Sequence, residues 1–449
     1  MRVRSDRAVA WQVPSIALFT LPHPSPPVVV TERWSRSSVR TMLSIIRAVS
    51  PLLASTVFLL MGVALLHSQV ALHGHALGYS VAMIGVLTSA YYTGFLAGTY
   101  AVPRLTHRIG HIRSFAFCIV LVTFSALVQA ITSTYVVWLL MRVLQGLVLV
   151  GLYAIIESWL NATADRRYRS SVFAVYMMLN LGAAAVAQQF LRLPGEPFVL
   201  FCVVAMLFCL AGLPVIATRE PQPSMEALPK VQLRRLYRLA PTALVTSVIS
   251  GLALGALWGL LPIYAQARGM EPGEIGTYVA AAIVGGVVMQ WPLGRFSDRV
   301  DRRLAIALIS GCAALVALAN VMLPADNRVL AIVMVFAFGG VAFALYPMAV
   351  AHLIDYVDRD ELLSASSTVL LVNGIGSAVG PLVAGALMSW WQPWSLFAWF
   401  AVLNALLAVY ALNRFARRKR EVTDDDNFAP LVQTALNALR QKAVDKHLP

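Results

Sequence analysis

The sequence of 449 residues is 59% hydrophobic and only 12% charged, and its mean hydropathy is +0.73. An ordinary soluble domain carries roughly 25% charged residues, so this composition excludes a soluble globular protein and indicates an integral membrane protein. The formal net charge of +14 would suit a nucleic-acid partner, but the placement of the basic residues argues against one, and none is expected.

Residues 1–41 contain six arginines and a proline-rich run from Leu21 to Pro27. No apolar run in this stretch is long enough for a secretory signal or a spanning helix. The stretch is therefore predicted to be a disordered extension. Two alternatives stay open: a start codon set too early, with Met42 as the true start, and an organelle transit peptide.

Apolar segments of roughly 20 residues follow, each long enough to cross a hydrocarbon core of about 30 Å. They lie at 49–70, 81–103, 114–133, 136–160, 171–193, 197–218, 241–265, 273–293, 304–324, 329–353, 363–388 and 394–415. The pattern predicts an all-α integral membrane protein with twelve transmembrane helices. The polar stretch 219–240 is predicted to be a cytoplasmic linker, and 416–449 a cytoplasmic tail that is either frayed or forms a short amphipathic helix.

The basic residues lie almost entirely on one side of these segments. Thirty-one of the 35 lysines and arginines fall in the amino-terminal region, in alternate loops, in the linker and in the tail, whereas Arg192, Arg268 and Arg328 lie in the other loops and Arg142 lies inside a segment. Cytoplasmic loops carry such an excess. We therefore expect a multi-pass membrane protein with both termini cytoplasmic and anionic lipids as partners.

The two halves of the chain resemble each other. A shift of 191 residues pairs Gly94 with Gly285, and a shift of 193 pairs Gly146 with Gly339. A tandem duplication of membrane-spanning units is typical of repeat-built transporters. The predicted domains are an amino-terminal six-helix bundle at 42–218 and a carboxy-terminal one at 241–415.

Two motifs resemble those of a known family. The loop Gly294-x-x-Ser297-Asp298-Arg299-x-x-Arg302-Arg303 is similar to the signature loop of the major facilitator superfamily, and Arg142-Val143-Leu144-Gln145-Gly146 resembles its arginine-containing fourth-helix motif. More narrowly, the chain is similar to the YcaD-like branch of bacterial transporters. That similarity rests on Tyr92-Thr93-Gly94, Glu157-Ser158-Trp159, Ala174-Val175-Tyr176-Met177-Met178 and Gln290-Trp291-Pro292-Leu293-Gly294-Arg295.

The resemblance implies two six-helix bundles around a central cavity and alternating access by rocking of the bundles. We therefore expect a secondary active transporter of a small organic solute, coupled to an ion such as the proton and working as a monomer. A drug or metabolite exporter by proton antiport is the alternative within this class, and a non-transporting membrane sensor is the alternative outside it. No nucleophile–base pair, metal cluster or phosphate-binding glycine loop is visible, so no enzyme activity, cofactor or metal site is expected.

Gating residues are predicted around the two signature loops. In the first loop, Pro103 and His107 replace the family's glycine and aspartate, so the latch there is expected to differ. Asp298 is expected to accept backbone bonds at the start of segment nine, to pair with a neighbouring arginine and to hold the gate shut in the outward-open state. Glu157 is expected to pair with Arg108 or another loop arginine or, in a proton-coupled cycle, to titrate. The predicted set is Gly294, Asp298, Arg299, Arg302, Arg303, Arg108, Gly110 and Glu157.

Arg142 is the leading candidate for contact with the solute, because a guanidinium in hydrocarbon costs at least ~2.5 kcal/mol and has to face a cavity or a partner. It shares one helical face with Gln145, Tyr153 and Glu157. The alternative is that Arg142 only bonds neighbouring backbone carbonyls. The predicted solute pathway is Arg142, Gln145, Tyr92, Asn180, Trp258, Gln290, Tyr346 and Asn373.

Other polar residues are predicted to have ordinary roles. His67 and Gln69 are expected at the membrane interface near the outer end of segment one. His352 and Asp355 are expected to be solvated rather than to bind a metal. The four cysteines are Cys118, Cys202, Cys209 and Cys312, and all are expected to be small packing residues.

Overall fold

The computed structural model describes residues 36–163, 169–218, 233–322, 327–357 and 361–424. Backbone contacts divide the chain into two units, Met1–Ser44 and Ile45–Pro449. Of the first unit only the start of one helix is described, and the architecture below is that of the second. The predictions for residues 1–35, for most of the linker and for residues 425–449 lie outside the described residues.

Every regular element of the described residues is helical, as predicted. The α-helices are α1 (Arg36–Ala76), α2 (Val81–Ile109), α3 (His111–Ile131), α4 (Tyr135–Thr163), α5 (Arg169–Ala187), α6 (Pro197–Ile216), α7 (Leu233–Leu239), α8 (Pro241–Ala267), α9 (Pro272–Arg299), α10 (Arg302–Met322), α11 (Arg328–Ile354), α12 (Leu362–Trp390) and α13 (Ser395–Asp424). A 3-10 turn at Gln188–Arg192 extends α5. We call α1–α6 with this turn the first bundle, and α8–α13 the second bundle.

Polar residues between the apolar segments set the ends of the helices. The Ser80 hydroxyl accepts a bond from the Met83 amide at the start of α2, and the Asn327 side chain accepts one from Leu330 at the start of α11. Gly110 has a φ of 84°, a left-handed conformation that separates α2 from α3. Ser80 and Asn327 satisfy amides that a helix start leaves unpaired, and Gly110 allows a tight connection between two long helices.

Eleven helices in the described part of the chain are long and apolar enough to cross a membrane. They correspond to eleven of the twelve predicted segments. The remaining segment, 171–193, is occupied by α5 and its 3-10 turn, which are not among the eleven. The predicted all-α integral membrane fold is therefore confirmed, with eleven of the twelve predicted spans found among the described residues.

The internal repeat reappears as the same helix packing in both bundles. A β-carbon on Gly94 would collide with the Val143 carbonyl, and one on Gly146 would collide with the carbonyl of Tyr91, so α2 and α4 meet backbone to backbone. Their repeat equivalents do the same, because a β-carbon on Gly285 would meet the Phe336 carbonyl and one on Gly339 the Ala282 carbonyl, between α9 and α11. We call Gly94, Gly146, Gly285 and Gly339 the glycine quartet. Small residues of this kind let spanning helices approach closely.

The molecule has two distinguishable ends. At the motif end, α2 meets α3 at Gly110 and α9 meets α10 at the signature loop. At the opposite end, α12 finishes at Trp390 and α13 begins at Ser395. The exposed indoles of Trp390, Trp391 and Trp394 cluster there, which is typical of a membrane interface.

Candidate functional site

Arg142 lies in the interior of the first bundle with only 1% of its surface exposed. Its guanidinium donates to the Gln145 side chain at 3.0 Å and to the Leu87 carbonyl at 3.4 Å, and it lies 2.9 Å from His67 Nδ1. The same group sits 4.7 Å from the centre of the Tyr91 ring. Since arginine is a cation with donors only, His67 Nδ1 must be the acceptor in this arrangement.

This burial differs from the predicted position on the solute pathway. Arg142 and Gln145 face the inside of the first bundle, where Gln145 donates to Gln129 at 2.7 Å. His67 and Gln69, predicted at the interface, are also buried, at 7% and 3% exposure. The reason is that α1 continues to Ala76 instead of ending near 70, so both residues lie inside the helix.

Glu157 lies on α4, fifteen residues beyond Arg142 and closer to the motif end. Its carboxylate accepts a hydrogen bond from the Tyr176 hydroxyl of α5 at 3.1 Å, instead of pairing with Arg108 as predicted. Tyr346 of the second bundle lies within Coulombic reach of the same carboxylate. The predicted gating residue Glu157 and the predicted pathway residue Tyr346 thus lie near each other on different bundles, and Tyr176 is a partner of Glu157 that the sequence interpretation missed.

Asn180 lies one helical turn after Tyr176, on the same face of α5. Its Oδ1 atom is buried and has no hydrogen-bond partner within the described ranges. A buried acceptor without a donor is costly, so such an atom points to strain, to an ordered water or to a group that binds there in another state. We call Glu157, Tyr176, Asn180 and Tyr346 the carboxylate site.

An apolar cavity of about 290 Å³ lies between α2 of the first bundle and α12 of the second. Tyr92 and Asn373, both predicted pathway residues, line it together with Phe95, Leu96 and Gly374. The Asn373 amide is already engaged, because it donates to the Ser247 carbonyl at 3.0 Å and so joins α12 to α8. Tyr92 of the first bundle and Asn373 of the second therefore line the same cavity from opposite sides.

Two further predicted pathway residues lie elsewhere. Trp258 of α8 meets Phe343 of α11 edge to face, with 5.9 Å between ring centres, inside the second bundle. Gln290 lines a small cavity of about 150 Å³ beside Gly294 and Asp298, next to the signature loop. Gln290 therefore belongs with the predicted gating residues.

The signature loop is organised by Arg302. This side chain pairs with Asp298 at 3.1 Å and with Asp355 of α11 at 2.6 Å. Asp298 lies in the last turn of α9, and it is Asp301 that accepts a bond from the Arg303 amide, at 2.8 Å, at the start of α10. Segment nine of the sequence analysis is α10, which begins at Arg302, four residues after Asp298. The expectation that Asp298 caps this helix is therefore wrong.

The remaining gating candidates surround this cluster without joining it. Arg303 donates to the Tyr356 hydroxyl at 3.0 Å, while the Arg299 and Arg108 side chains are exposed. A β-carbon on Gly294 would meet open space, so no close approach demands glycine there. His352, expected to be solvated, is only 3% exposed because α11 packs it behind the loop. No group of potential metal ligands occurs among the described residues.

The two bundles meet at the opposite end of the molecule. A β-carbon on Gly85 of α2 would collide with the Pro381 carbonyl of α12, and one on Gly276 of α9 would collide with the Gln188 carbonyl of the first bundle. Arg192 donates to the Thr277 hydroxyl at 2.7 Å. We call this set of contacts the seal. It leaves no room for even a methyl group between the bundles at these points.

With this geometry established, comparison with known proteins is decisive. The family model of the Major Facilitator Superfamily matches residues 43–345 and 243–444. This chain belongs to the major facilitator superfamily. The Uncharacterized MFS-type transporter YcaD of Escherichia fergusonii is 29% identical over 382 residues, covering 82% of this chain and 95% of the relative. The protein of the same name from Salmonella typhi is 28% identical, covering 84% and 98%.

Solved structures of the superfamily share the fold. The nucleoside transporter NupG superimposes with a TM-score of 0.67 at 14% sequence identity, covering 83% of this chain and 99% of NupG. A D-xylose-proton symporter gives 0.66 at 12% identity, covering 81% and 96%. At such low identity these matches concern the fold alone.

The family, its YcaD-like branch and the fold predicted from the motifs are confirmed. The chain is a multi-pass membrane transporter for a small-molecule solute, and it is not an enzyme.

Proposed function

We propose that this transporter moves a small organic solute across a bacterial inner membrane by alternating access, driven by a proton gradient, and that it works as a monomer. The observation that supports this most directly is the seal. The two bundles touch backbone to backbone at one end, at Gly85 with Pro381 and at Gly276 with Gln188, which is the contact that a rocking cycle has to break and remake.

The position of the apolar cavity also supports alternating access. It lies between α2 and α12, the helices that also meet at the seal, but on the half of both helices nearer the motif end. The seal prevents a solute held in the cavity from leaving towards the opposite end of the molecule. The conformation thus corresponds to one end state of alternating access, with the seal closed.

The distribution of basic residues supports a cytoplasmic motif end and cytoplasmic termini. Arg295 lies 4.8 Å from the ring centre of the exposed Trp291 near the signature loop, an arrangement suited to a membrane surface rich in anionic lipid headgroups. The end state with the seal closed is then the inward-facing one, and the domains at 42–218 and 241–415 are the two rocking bodies.

Glu157 is the candidate proton carrier. It is the only acidic residue lying more than one turn from an end of the eleven described spans. Asp298, Arg302 and Asp355 form the gating cluster in this proposal, and they exchange partners when the motif end closes.

Two pairs of spin labels test alternating access. One pair, Leu77→Cys with Trp391→Cys, spans the seal, and the other, Arg108→Cys with Arg299→Cys, spans the motif end. In a background lacking the four native cysteines, we expect acidification or a transported solute to lengthen one distance while the other shortens. Distances that stay fixed while a solute binds would favour the membrane sensor instead.

A flux assay tests proton coupling. Purified protein in sealed liposomes with an imposed pH gradient should dissipate that gradient when the right solute is added, and Glu157→Gln should remove the proton movement. Proton flux that is unchanged in Glu157→Gln would contradict the assignment of the carrier.

A further inference from the structure

The carboxylate of Glu157 has only neutral partners. Its recorded hydrogen bond comes from the Tyr176 hydroxyl, and no lysine, arginine or histidine of the described ranges pairs with it. A buried carboxylate is costly unless it carries a proton or is paired with a cation. A proton or a cation bound at Glu157 would therefore stabilise the carboxylate site.

The carboxylate site also has more acceptors than donors. Asn180 Oδ1 is buried and unpartnered within the described ranges, one turn along α5 from Tyr176. The group that completes the site therefore has to supply N–H or O–H donors as well as positive charge. A protonated amine does both, since an ammonium offers three donors and no acceptor.

Aromatic walls connect this site to the apolar cavity. Tyr153 lies one turn before Glu157 on α4, and its ring centre is 6.3 Å from that of Phe95 on α2. Phe95 and Tyr92 in turn line the cavity of about 290 Å³ between α2 and α12. Such a volume is near the lower limit for small-molecule pockets. Aromatic faces attract cations, and apolar walls suit the rest of an organic molecule.

We propose that the solute is an amphipathic organic amine, with its ammonium group held by Glu157 and Asn180 and its apolar body against Tyr153 and the walls of the cavity. This inference rests on the proposed transport function and names its substrate class. Departure of the amine leaves the carboxylate open to a proton, so amine and proton occupy the same position in turn.

Matched pairs of small molecules test the proposal. The full-length protein is purified into nanodiscs of uncharged lipid, and its affinity is measured for phenethylamine against 2-phenylethanol and for tryptamine against tryptophol. Each pair differs only in an amino group replaced by a hydroxyl. We expect each amine to bind at least about tenfold more tightly than its alcohol, corresponding to about 1.4 kcal/mol.

Variants assign the preference to the site. Glu157→Gln should abolish the preference for amines, and Asn180→Leu should weaken it. Glu157→Asp keeps the charge on a shorter side chain and should reduce the preference without abolishing it, which covers the case in which the glutamine variant does not fold. Glu196→Gln makes the same chemical change at an exposed position and should leave the preference intact.

Acidification gives an independent readout. Below the pH at which the Glu157 carboxyl titrates, amine affinity should fall about tenfold per pH unit, because a proton competes for the same oxygen atoms, while alcohol affinity stays constant. Equal affinity for amines and alcohols, an amine preference that survives in Glu157→Gln, or no amine binding below about 1 mM would overturn the proposal.

Failure of this inference and failure of transport can be told apart. Binding is measured without a gradient, so an intact amine preference in a protein that moves no solute across liposomes contradicts only the transport function. If the Glu157→Gln variant still transports an uncharged solute into liposomes, that result contradicts only the amine site.

Discussion

At the scale of single residues, Arg142 shows how a charge can be held inside a bundle of membrane-spanning helices. Its guanidinium reaches acceptors on α1, α2 and α4, at His67, Leu87 and Gln145. Each bond removes an unpaired polar group from a region without water. Arg142 therefore fixes three helices of the first bundle relative to one another.

We expect Arg142→Lys to destabilise the protein. Lysine keeps the charge, but its single nitrogen cannot reproduce the planar fork of donors. A buried acceptor left unpaired costs about 1–3 kcal/mol, so the melting temperature in detergent should fall. Arg113→Lys, at an exposed arginine of α3, is the control and should leave it unchanged. Equal melting temperatures for the two variants would assign Arg142 a role outside the bundle interior.

The charge at Asp298 is expected to matter more than the imidazole at His107. In the conformation described, Asp298 is mostly exposed and its pair with Arg302 contributes little. Closing the motif end would remove that pair from water and strengthen it. Asp298→Asn should therefore shift the equilibrium towards the conformation with the seal closed by on the order of 1–3 kcal/mol, and His107→Asn by less. Spin-label distances across the motif end measure both shifts, and equal shifts would count against the gating role.

At the scale of helices, the sequence predicted the elements well but misjudged where polar residues point. Apolar runs located the spans because lipid imposes length and hydropathy on any helix that crosses it. The first span was predicted to end near residue 70 because His67, Gln69 and His73 lower the hydropathy there, yet α1 continues to Ala76. Hydropathy cannot distinguish a polar group facing water from one bonded inside a bundle. For the same reason, Tyr176 could be recognised as the partner of Glu157 only once the packing of α5 against α4 was known.

Gly85 and Gly94 provide a matched pair of helix contacts on α2. A methyl group on Gly85 would enter the seal between the bundles, whereas one on Gly94 would enter the α2–α4 contact inside the first bundle. We expect Gly85→Ala to lengthen the distance across the seal between labels at Leu77 and Trp391, because overpacking costs about 1–3 kcal/mol only while the seal is closed. Gly94→Ala should lower thermal stability and leave that distance distribution unchanged. Identical behaviour of the two variants would contradict the assignment of the seal.

At the scale of the whole molecule, orientation follows from charge and not from shape. Both bundles come from one repeated unit and carry their motif loops at the same end, so helix packing alone does not say which end faces the cytoplasm. We expect the signature loop to face the cytoplasm, because the basic residues are concentrated in the loops at the motif end.

Labelling of single cysteines in intact cells tests the orientation. A membrane-impermeant maleimide should leave Arg299→Cys unmodified until the cells are opened, because the signature loop is expected to face the cytoplasm. Trp391→Cys lies at the opposite end and should react from outside. The reverse pattern would invert the topology and make the described conformation the outward-facing one.

The glycine quartet has a consequence for inheritance as well as for packing. Every missense change at a glycine codon adds at least a β-carbon, and at Gly94, Gly146, Gly285 and Gly339 that carbon collides with a carbonyl of the neighbouring helix. A saturation mutagenesis of the gene, selected for transport, should therefore find these four codons as intolerant as the one for Glu157, although they touch no solute. Protein abundance separates the two classes: glycine variants should be depleted from the membrane, whereas inactive Glu157 variants should accumulate to normal levels.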